Sequence, residues 1–478
     1  MKFLIDCTKP IYDNESNYNG VEEAQFVYDN ETSEIYNPKG KLLNIRVFNN
    51  TRKYSYVLDK AVSKDTPGIK THYIKTLKIQ MGLSCNYSCE YCSQRFVPNI
   101  DHANTKYMNK FIESLDSWLF NAPEKIEFWG GEPFVYWKTL KPLAELLREK
   151  YPLTRFSVIT NGSLITEEII DWLYNTGFTV AVSHDGPGQN VRGPDPFEDK
   201  EQRKILFKLF NRFLPENRIS INSMIHRENM DREKIQKFFE ELFNLHNEDF
   251  FVIGEGGFID VYDEGGKMNV PQNIEEHITH RRITLKVIKN NSINRFNVLH
   301  SRINSWIDSW GNYRSSDTIG QKCGMDDEDT IAVDLQGNVL TCQNVTAVSK
   351  APNGNSHKIG HVSRFDSIKL NTSTHWKFRE ECSNCPVLQV CQGSCMFIEG
   401  EYFKLSCDAA YSDHIPFFAA AFELATNGYL PVKITAISDE YNLPDDRADI
   451  WGSFNGISIS EVSTRTNAIE KNKLLEKR

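Results

Sequence analysis

The sequence predicts an α/β fold: a partial (β/α)6 barrel, then an irregular cysteine-rich region. Three observations predict it. Between about residues 74 and 290, six apolar runs of strand length alternate with segments of helical periodicity. Motifs rich in glycine and polar residues stand at the C-terminal ends of those runs. Ten of the eleven cysteines fall into spaced groups, three before the first helix and seven after residue 320.

Residues 1–73 are polar, and "KLLNIRVF" (41–48) and "KYSYVL" (53–58) read as strands of a β-rich lead-in. The barrel strands are expected over 77–83, 125–130, 155–160, 178–183, 218–225 and 249–254, with helices over 106–120, 141–150, 166–175, 200–213, 230–245 and 275–290. Such alternation makes a parallel sheet with helices outside it. Six units are too few for a closed eight-fold barrel, and ligands gather at the C-terminal ends of the strands. "GEGGF" (254–258) reads as an ordinary turn, and His277 and His280 as solvent-facing helix residues. The expected divisions are 1–73, a barrel over 74–310, a cysteine-rich region over 311–410, and a helix and tail over 411–478. In the last, "IPFFAAAFELATNGY" reads as a helix ended by Gly428, and "RTNAIEKNKLLEKR" as a polar tail.

Composition narrows the function. A formal net charge of −9 gives no overall basic field to attract nucleic acid. The longest apolar stretch, near "IPFFAAAFELA", is too short to span a bilayer. "MKFLIDCTKP" lacks the pattern of a secretory signal, so the expected compartment is the cytoplasm. There, clustered cysteines bind metal or do redox chemistry rather than form a disulfide framework. Cys7 stands alone and reads as a small hydrophobe.

Cys85, Cys89 and Cys92 follow the first strand at spacing C-x3-C-x2-C. Three thiolates on a four-iron cubane leave one iron open for a ligand. The rival is a zinc knuckle closed by His102 or a remote residue. After the second strand comes "WGGEPF", with Gly130, Gly131, Glu132 and Pro133. Glycines allow close backbone approach, and a carboxylate accepts bonds from a ligand ammonium. Asn161 follows the third strand; Ser183, suited to a ribose hydroxyl, and Arg192, suited to a carboxylate, follow the fourth. Each of these is also at home in a plain turn.

Over about residues 74–290 the chain resembles the radical S-adenosylmethionine superfamily. The resemblance rests on C-x3-C-x2-C with Tyr91 before its last cysteine, and on Gly-Gly-Glu-Pro after the next strand. It implies a radical SAM barrel in which Cys85, Cys89 and Cys92 hold a 4Fe–4S cluster. The open iron would chelate S-adenosylmethionine, whose reductive cleavage gives a 5′-deoxyadenosyl radical. Glu132 and its glycines would hold the methionine amino group, with Asn161, Ser183 and Arg192 as further cofactor contacts.

The later cysteines resemble the SPASM extension of peptide-modifying members. Cys323 precedes a Gly337-x4-Cys342 unit, then Cys382, Cys385, Cys391 and Cys395 follow at C-x2-C-x5-C-x3-C, and Cys407 ends the pattern. The resemblance implies two auxiliary 4Fe–4S clusters, three clusters in all. Cys382, Cys385, Cys391 and Cys407 would complete one, and Cys323, Cys342 and Cys395 would hold three irons of the other. Where fuller members carry another cysteine, this chain has "GMDDEDT". Either a carboxylate closes that cluster, with Asp329 preferred, or one iron stays open. The alternative for the region is structural zinc.

The implied function is an oxidising maturase that abstracts hydrogen from a ribosomally made peptide or protein and forms an intramolecular crosslink. Implied partners are that precursor and a low-potential donor such as flavodoxin or ferredoxin, with no nucleic acid and no membrane. Alternatives are a peptide epimerase, a formylglycine-type oxidising maturase, and a zinc-bound peptide-binding scaffold. Formylglycine-forming members place an aspartate where this chain has Gln343, and a neutral amide does not serve as that base.

Overall fold

The computed structural model describes residues 1–13, 17–46, 68–98, 105–246, 249–370 and 374–452. Three antiparallel strands come first: β1 (Lys2–Tyr12), β2 (Tyr18–Asp29) and β3 (Glu34–Tyr36). Then β4 (Thr76–Gln80), β5 (Lys125–Trp129), β6 (Arg155–Thr160), β7 (Phe178–Ser183), β8 (Ile219–Ile225) and β9 (Ile253–Phe258) lie parallel and adjacent. Between them run α1 (Thr105–Trp118), α2 (Trp137–Lys150), α3 (Glu167–Asn175), α4 (Lys200–Phe213) and α5 (Arg232–Phe243). After β9 come α6 (Glu264–Met268), α7 (Ile274–Lys289) and α8 (Asn297–Gly311). This is the α/β barrel-type architecture expected of six strand–helix units.

The sheet is wider than expected. β10 (Thr330–Asp334) pairs parallel with β4, and β11 (Asn338–Leu340) and β12 (Lys358–His361) extend it to nine strands. β13 (Leu430–Ala436) pairs antiparallel with β1 and completes a separate four-stranded sheet. In the lead-in, Leu42 makes only an isolated bridge to Tyr36, so "KLLNIRVF" is no strand over its described part. "KYSYVL", His102 and the final tail lie outside the described residues.

β5, β6 and β7 alternate buried residues, mostly apolar, with more exposed ones. Phe128, Phe156 and Phe178 meet across them with ring centroids 5.3–5.5 Å apart. Thr166, Asp199, Asp231 and Asn273 cap α3, α4, α5 and α7 by accepting bonds from first-turn N–H groups. These caps set where each helix leaves its strand, and so where the strand-end loops begin.

"GEGGF" is not a turn: it forms β9. Gly254 and Gly256 let β9 lie close to β8: a Cβ there would lie 3.2 Å from Ile221 O and 2.3 Å from the flexible Met224 Sδ. Two short helices, α9 (Glu380–Ser383) and α10 (Leu388–Cys391), precede the long α11 (Gly400–Ala425). α11 packs on α7, α8 and β9. After it, Asn427 and Gly428 take positive φ and end the helix as expected. Among the described residues no helix is long and apolar enough to cross a membrane.

A buried ion network fixes α11 to the barrel. Arg232 donates to Glu255 at 2.6 and 2.8 Å and to Asp413 at 2.7 Å. Arg302 donates to Asp413 at 2.6 Å and to Glu255 at 3.0 Å. His280 is fully buried with Nε2 3.0 Å from Asp413, and His277 Nδ1 is 3.0 Å from Ser412 Oγ. The expectation that these histidines face solvent is therefore corrected. The α7 face that carries them is covered by α11, which local periodicity does not reveal.

Candidate functional site

The loop after β4 brings Cys85, Cys89 and Cys92 to one side of a cleft of about 600 Å³. Gly130, Gly131, Glu132, Pro133, Asn161, Ser183 and Arg192 line the same cleft. The C-terminal ends of β4 to β7 thus converge as the strand-end rule requires.

The backbone of 130–132 is pressed against the cysteine loop. Gly131 N–H donates to Gly82 O at 3.2 Å, and Glu132 N–H to Ser84 O at 3.0 Å. A Cβ on Gly131 would lie 2.4 Å from Leu83 O and 2.5 Å from Ser84 O, so no other residue fits. Ser84 N–H donates to the Tyr136 hydroxyl at 2.7 Å, closing the clamp from below.

Glu132 is buried and accepts from Phe134 N–H (3.2 Å), the Thr160 hydroxyl (2.8 Å) and Asn161 N–H (2.7 Å). Burial raises its carboxyl to about 7, against the opposing effect of those donors. Three of the roughly four acceptor positions of a carboxylate are thereby used. Asn161 ties back to the cysteine loop, donating to Asn86 Oδ1 at 2.9 Å. Tyr91, between the last two cysteines, donates to Asp185 and accepts from Arg192 Nη1 at 2.9 Å. Arg192 Nη1 lies 3.6 Å from Asp185 Oδ1, and its buried Nε has no partner.

The thiols act on one another electrostatically in three groups. Cys85, Cys89 and Cys92 form one. Cys382, Cys385, Cys391 and Cys407 form a second, around a small pocket of about 20 Å³. Cys342 interacts with both Cys323 and Cys395, giving a third. Burial pushes Cys89, Cys323 and Cys385 up to about 12, and Cys391 to about 11. Cations oppose this beside each group: Arg192 at Cys85 and Cys89, Lys78 at Cys323 and Cys342, Lys322 at Cys391.

Asp329 stands just ahead of β10, and its carboxylate pairs with Lys75 Nζ at 2.7 Å. The charge of Asp326 acts on Cys323. Asp326 Oδ2 accepts from Gln321 N–H at 2.8 Å and lies 3.0 Å from His375 Nε2, while its buried Oδ1 has no partner. Gln343 accepts from Lys78 Nζ at 3.4 Å and carries no acid function.

Other cleft residues escaped the sequence reading. Asp260 and Tyr262, after β9, line the cleft with Asn344, which follows Cys342 by two residues. Tyr262 hydrogen-bonds Cys395, and Asp260 accepts from Ser394. A sixth strand drawn to Phe258 instead of 254 would have placed Asp260 and Tyr262 at a strand end. Asp185 lay in plain view in "SHDGP", but nothing local marks it as the acceptor for Tyr91.

Residues 79–239 match the Radical SAM superfamily. The chain is 23% identical over 377 residues to the radical SAM cyclopropyl synthase TigE of Paramaledivibacter caminithermalis, covering 69% of each chain. It is 24% identical over 337 residues to a cysteine-type anaerobic sulfatase-maturating enzyme of Clostridium perfringens, covering 65% of this chain and 85% of that one. The solved structure of anSMEcpe with bound AdoMet and the Cp18Cys peptide superposes with a TM-score of 0.52 at 19% identity, over 74% of this chain and 99% of that chain. At that identity the likeness speaks for the fold.

The matched superfamily implies a 4Fe–4S cluster and S-adenosylmethionine. Among the described residues no three His, Cys, Asp or Glu side chains are grouped to share a single metal ion, whereas a four-iron cluster takes one thiolate per iron. Three thiols share one side of the cleft, and the glycine cradle beside them has no room for a Cβ.

Proposed function

We propose that this protein is a peptide or protein maturase that joins two atoms of a ribosomally made substrate in a net oxidation. The observation that carries this reading is the shared cleft. The radical loop forms one wall, and Asp260, Tyr262 and Asn344, beside the third thiol group, form another. A substrate seated between them faces the site of hydrogen abstraction and a route for the departing electron at once.

When bound, S-adenosylmethionine and its cluster supply a 5′-deoxyadenosyl radical. Cys85, Cys89 and Cys92 hold that cluster. The 130–132 backbone, shaped by Glu132, receives the methionine end, with Asn161, Ser183 and Arg192 around the remainder. Cys382, Cys385, Cys391 and Cys407 hold one auxiliary cluster; Cys323, Cys342 and Cys395 hold three irons of another. With Asp329 engaged by Lys75, the fourth position of the latter is open or taken by another group. A low-potential donor such as flavodoxin or ferredoxin supplies the initiating electron, and the setting is cytoplasmic. Gln343 weighs against formylglycine chemistry.

The test is anaerobic incubation with short peptides encoded by open reading frames adjoining the gene, followed by intact and tandem mass spectrometry. A crosslink gives a product lighter by two hydrogens with fragmentation suppressed between the joined residues. Unchanged mass with deuterium taken up from heavy water means epimerisation and sinks the crosslink. A colourless native preparation containing zinc sinks the radical chemistry altogether.

A further inference from the structure

Arg379 presents an unusual electrostatic problem. It is 5% exposed, its guanidinium lies 3.9 Å over the Phe403 ring, and Nη2 donates to the carbonyls of Cys395 (3.2 Å) and Ile398 (2.5 Å). Nη1 is buried with no acceptor. Among the described residues no carboxylate pairs with it. A buried cation without a countercharge is strongly destabilising.

The groups that favour its charge most are thiols, Cys382, Cys395 and Cys407, ahead of the more weakly acting carboxylate of Glu381. Cys382 and Cys407 belong to one auxiliary group and Cys395 to the other; Arg379 O accepts from Cys382 N–H at 3.1 Å while Nη2 donates to Cys395 O, so Arg379 touches a residue of each. Neutral thiols give no countercharge, but ligation converts them to thiolates and leaves each site anionic. Arg447 makes the comparison. Its Nη2 donates to Cys407 Sγ at 3.3 Å, but Asp408 already neutralises it at 2.5 Å. Arg379 has no such partner.

We propose that Arg379 is the shared counter-cation of both auxiliary clusters, its charge holding both reduction potentials up and its unpartnered Nη1 N–H available to a cluster that would form there. It is a positioning residue: it touches no substrate and tunes the groups that receive the electron. Net charge and hydrogen bonds to sulfur are established levers on such potentials. The inference rests on the auxiliary clusters of the proposed function.

The test is an EPR-monitored redox titration of the anaerobic holoprotein and of R379M, R379Q and R379K, with iron counted in each. In R379M and R379Q both auxiliary couples move negative by a tenfold or greater change in the reduced-to-oxidised ratio, about 59 mV for one electron. R379K keeps most of the wild-type potential, and the radical-site couple stays unmoved in all three. Unmoved auxiliary couples in iron-replete R379M or R379Q overturn the proposal. If those two fail to load auxiliary iron while R379K loads it, the cation is required for assembly and the countercharge role stands. If none of the three loads, the side chain is a scaffold element only and the proposal fails. A wild-type protein with about four irons instead of about twelve would sink the cluster reading itself, a distinct outcome.

Discussion

The carboxylate of Glu132 and the backbone N–H of Asn161 are 2.7 Å apart, joining the loop after β5 to the loop after β6 across the floor of the cleft. This bond makes Glu132 a brace for the 130–132 backbone. Replacing Glu132 with Gln keeps the volume but turns an acceptor-only group into one with an N–H₂ facing donors. Loss of charge-assisted bonds of roughly 1.5–3 kcal/mol is expected, read as weaker S-adenosylmethionine binding in calorimetry with radical-site iron largely retained.

The same residue gives a pH dependence. Its carboxyl is raised from 4.5 to about 7 in the fold, so the folded state holds a proton that the unfolded chain releases. Its contribution is fully present below pH 4.5 and is lost as pH rises through about 7. Denaturant melts of the apoprotein over this window should show falling stability, and E132Q should flatten that component.

Gly131→Ala forces a Cβ to within 2.4 Å of Leu83 O, so the cysteine loop must move. Radical-site iron should fall while auxiliary iron remains, taking the count from about twelve to about eight per chain. Replacing Cys85, Cys89 and Cys92 with Ala should give the same count and abolish release of 5′-deoxyadenosine. Full iron in G131A would show that the loop tolerates the shift.

Asp413→Ala leaves Arg232 and Arg302 with one carboxylate, Glu255, where they had two. Removing one partner from a buried network costs about 3–5 kcal/mol, and urea melts should show it. Asp329→Ala, by contrast, removes a partly exposed pair with Lys75 and should cost about 1 kcal/mol or less. It should leave every cluster EPR signal unchanged; an altered signal would return Asp329 to the cluster.

Much of the cleft was legible because its residues are local in sequence. Cys85, Cys89 and Cys92 share one loop, and Gly130 to Pro133, Asn161 and Ser183 each follow an apolar run by a step or two. The rest depended on contacts between distant segments. β1 pairs on one side with β2, next in sequence, but on the other with β13, more than 400 residues along the chain, and no local pattern announces that second pairing. β9 was misread because "IGEGGF" carries three glycines and little β propensity; close approach to β8 keeps it extended. Asp329 and Asp326 are neighbours of like chemistry in one acidic run. Only Lys75 and His375, both far off in sequence, give them separate tasks.

α11 carries Cys407 and Asp413 on one continuous rod, six residues and so about 9 Å apart along its axis. The first joins the thiol group that also takes Cys382, Cys385 and Cys391; the second anchors the barrel through Arg232 and Arg302. A rigid helix transmits the placement of one end to the other. Filling the auxiliary site should therefore tighten the barrel flank that α11 covers, and emptying it should loosen Glu255 and the β9 edge beyond. Hydrogen exchange at β9 would then report on iron bound to a different part of the chain, making maturation of the clusters a checkpoint on the shape of the substrate cleft.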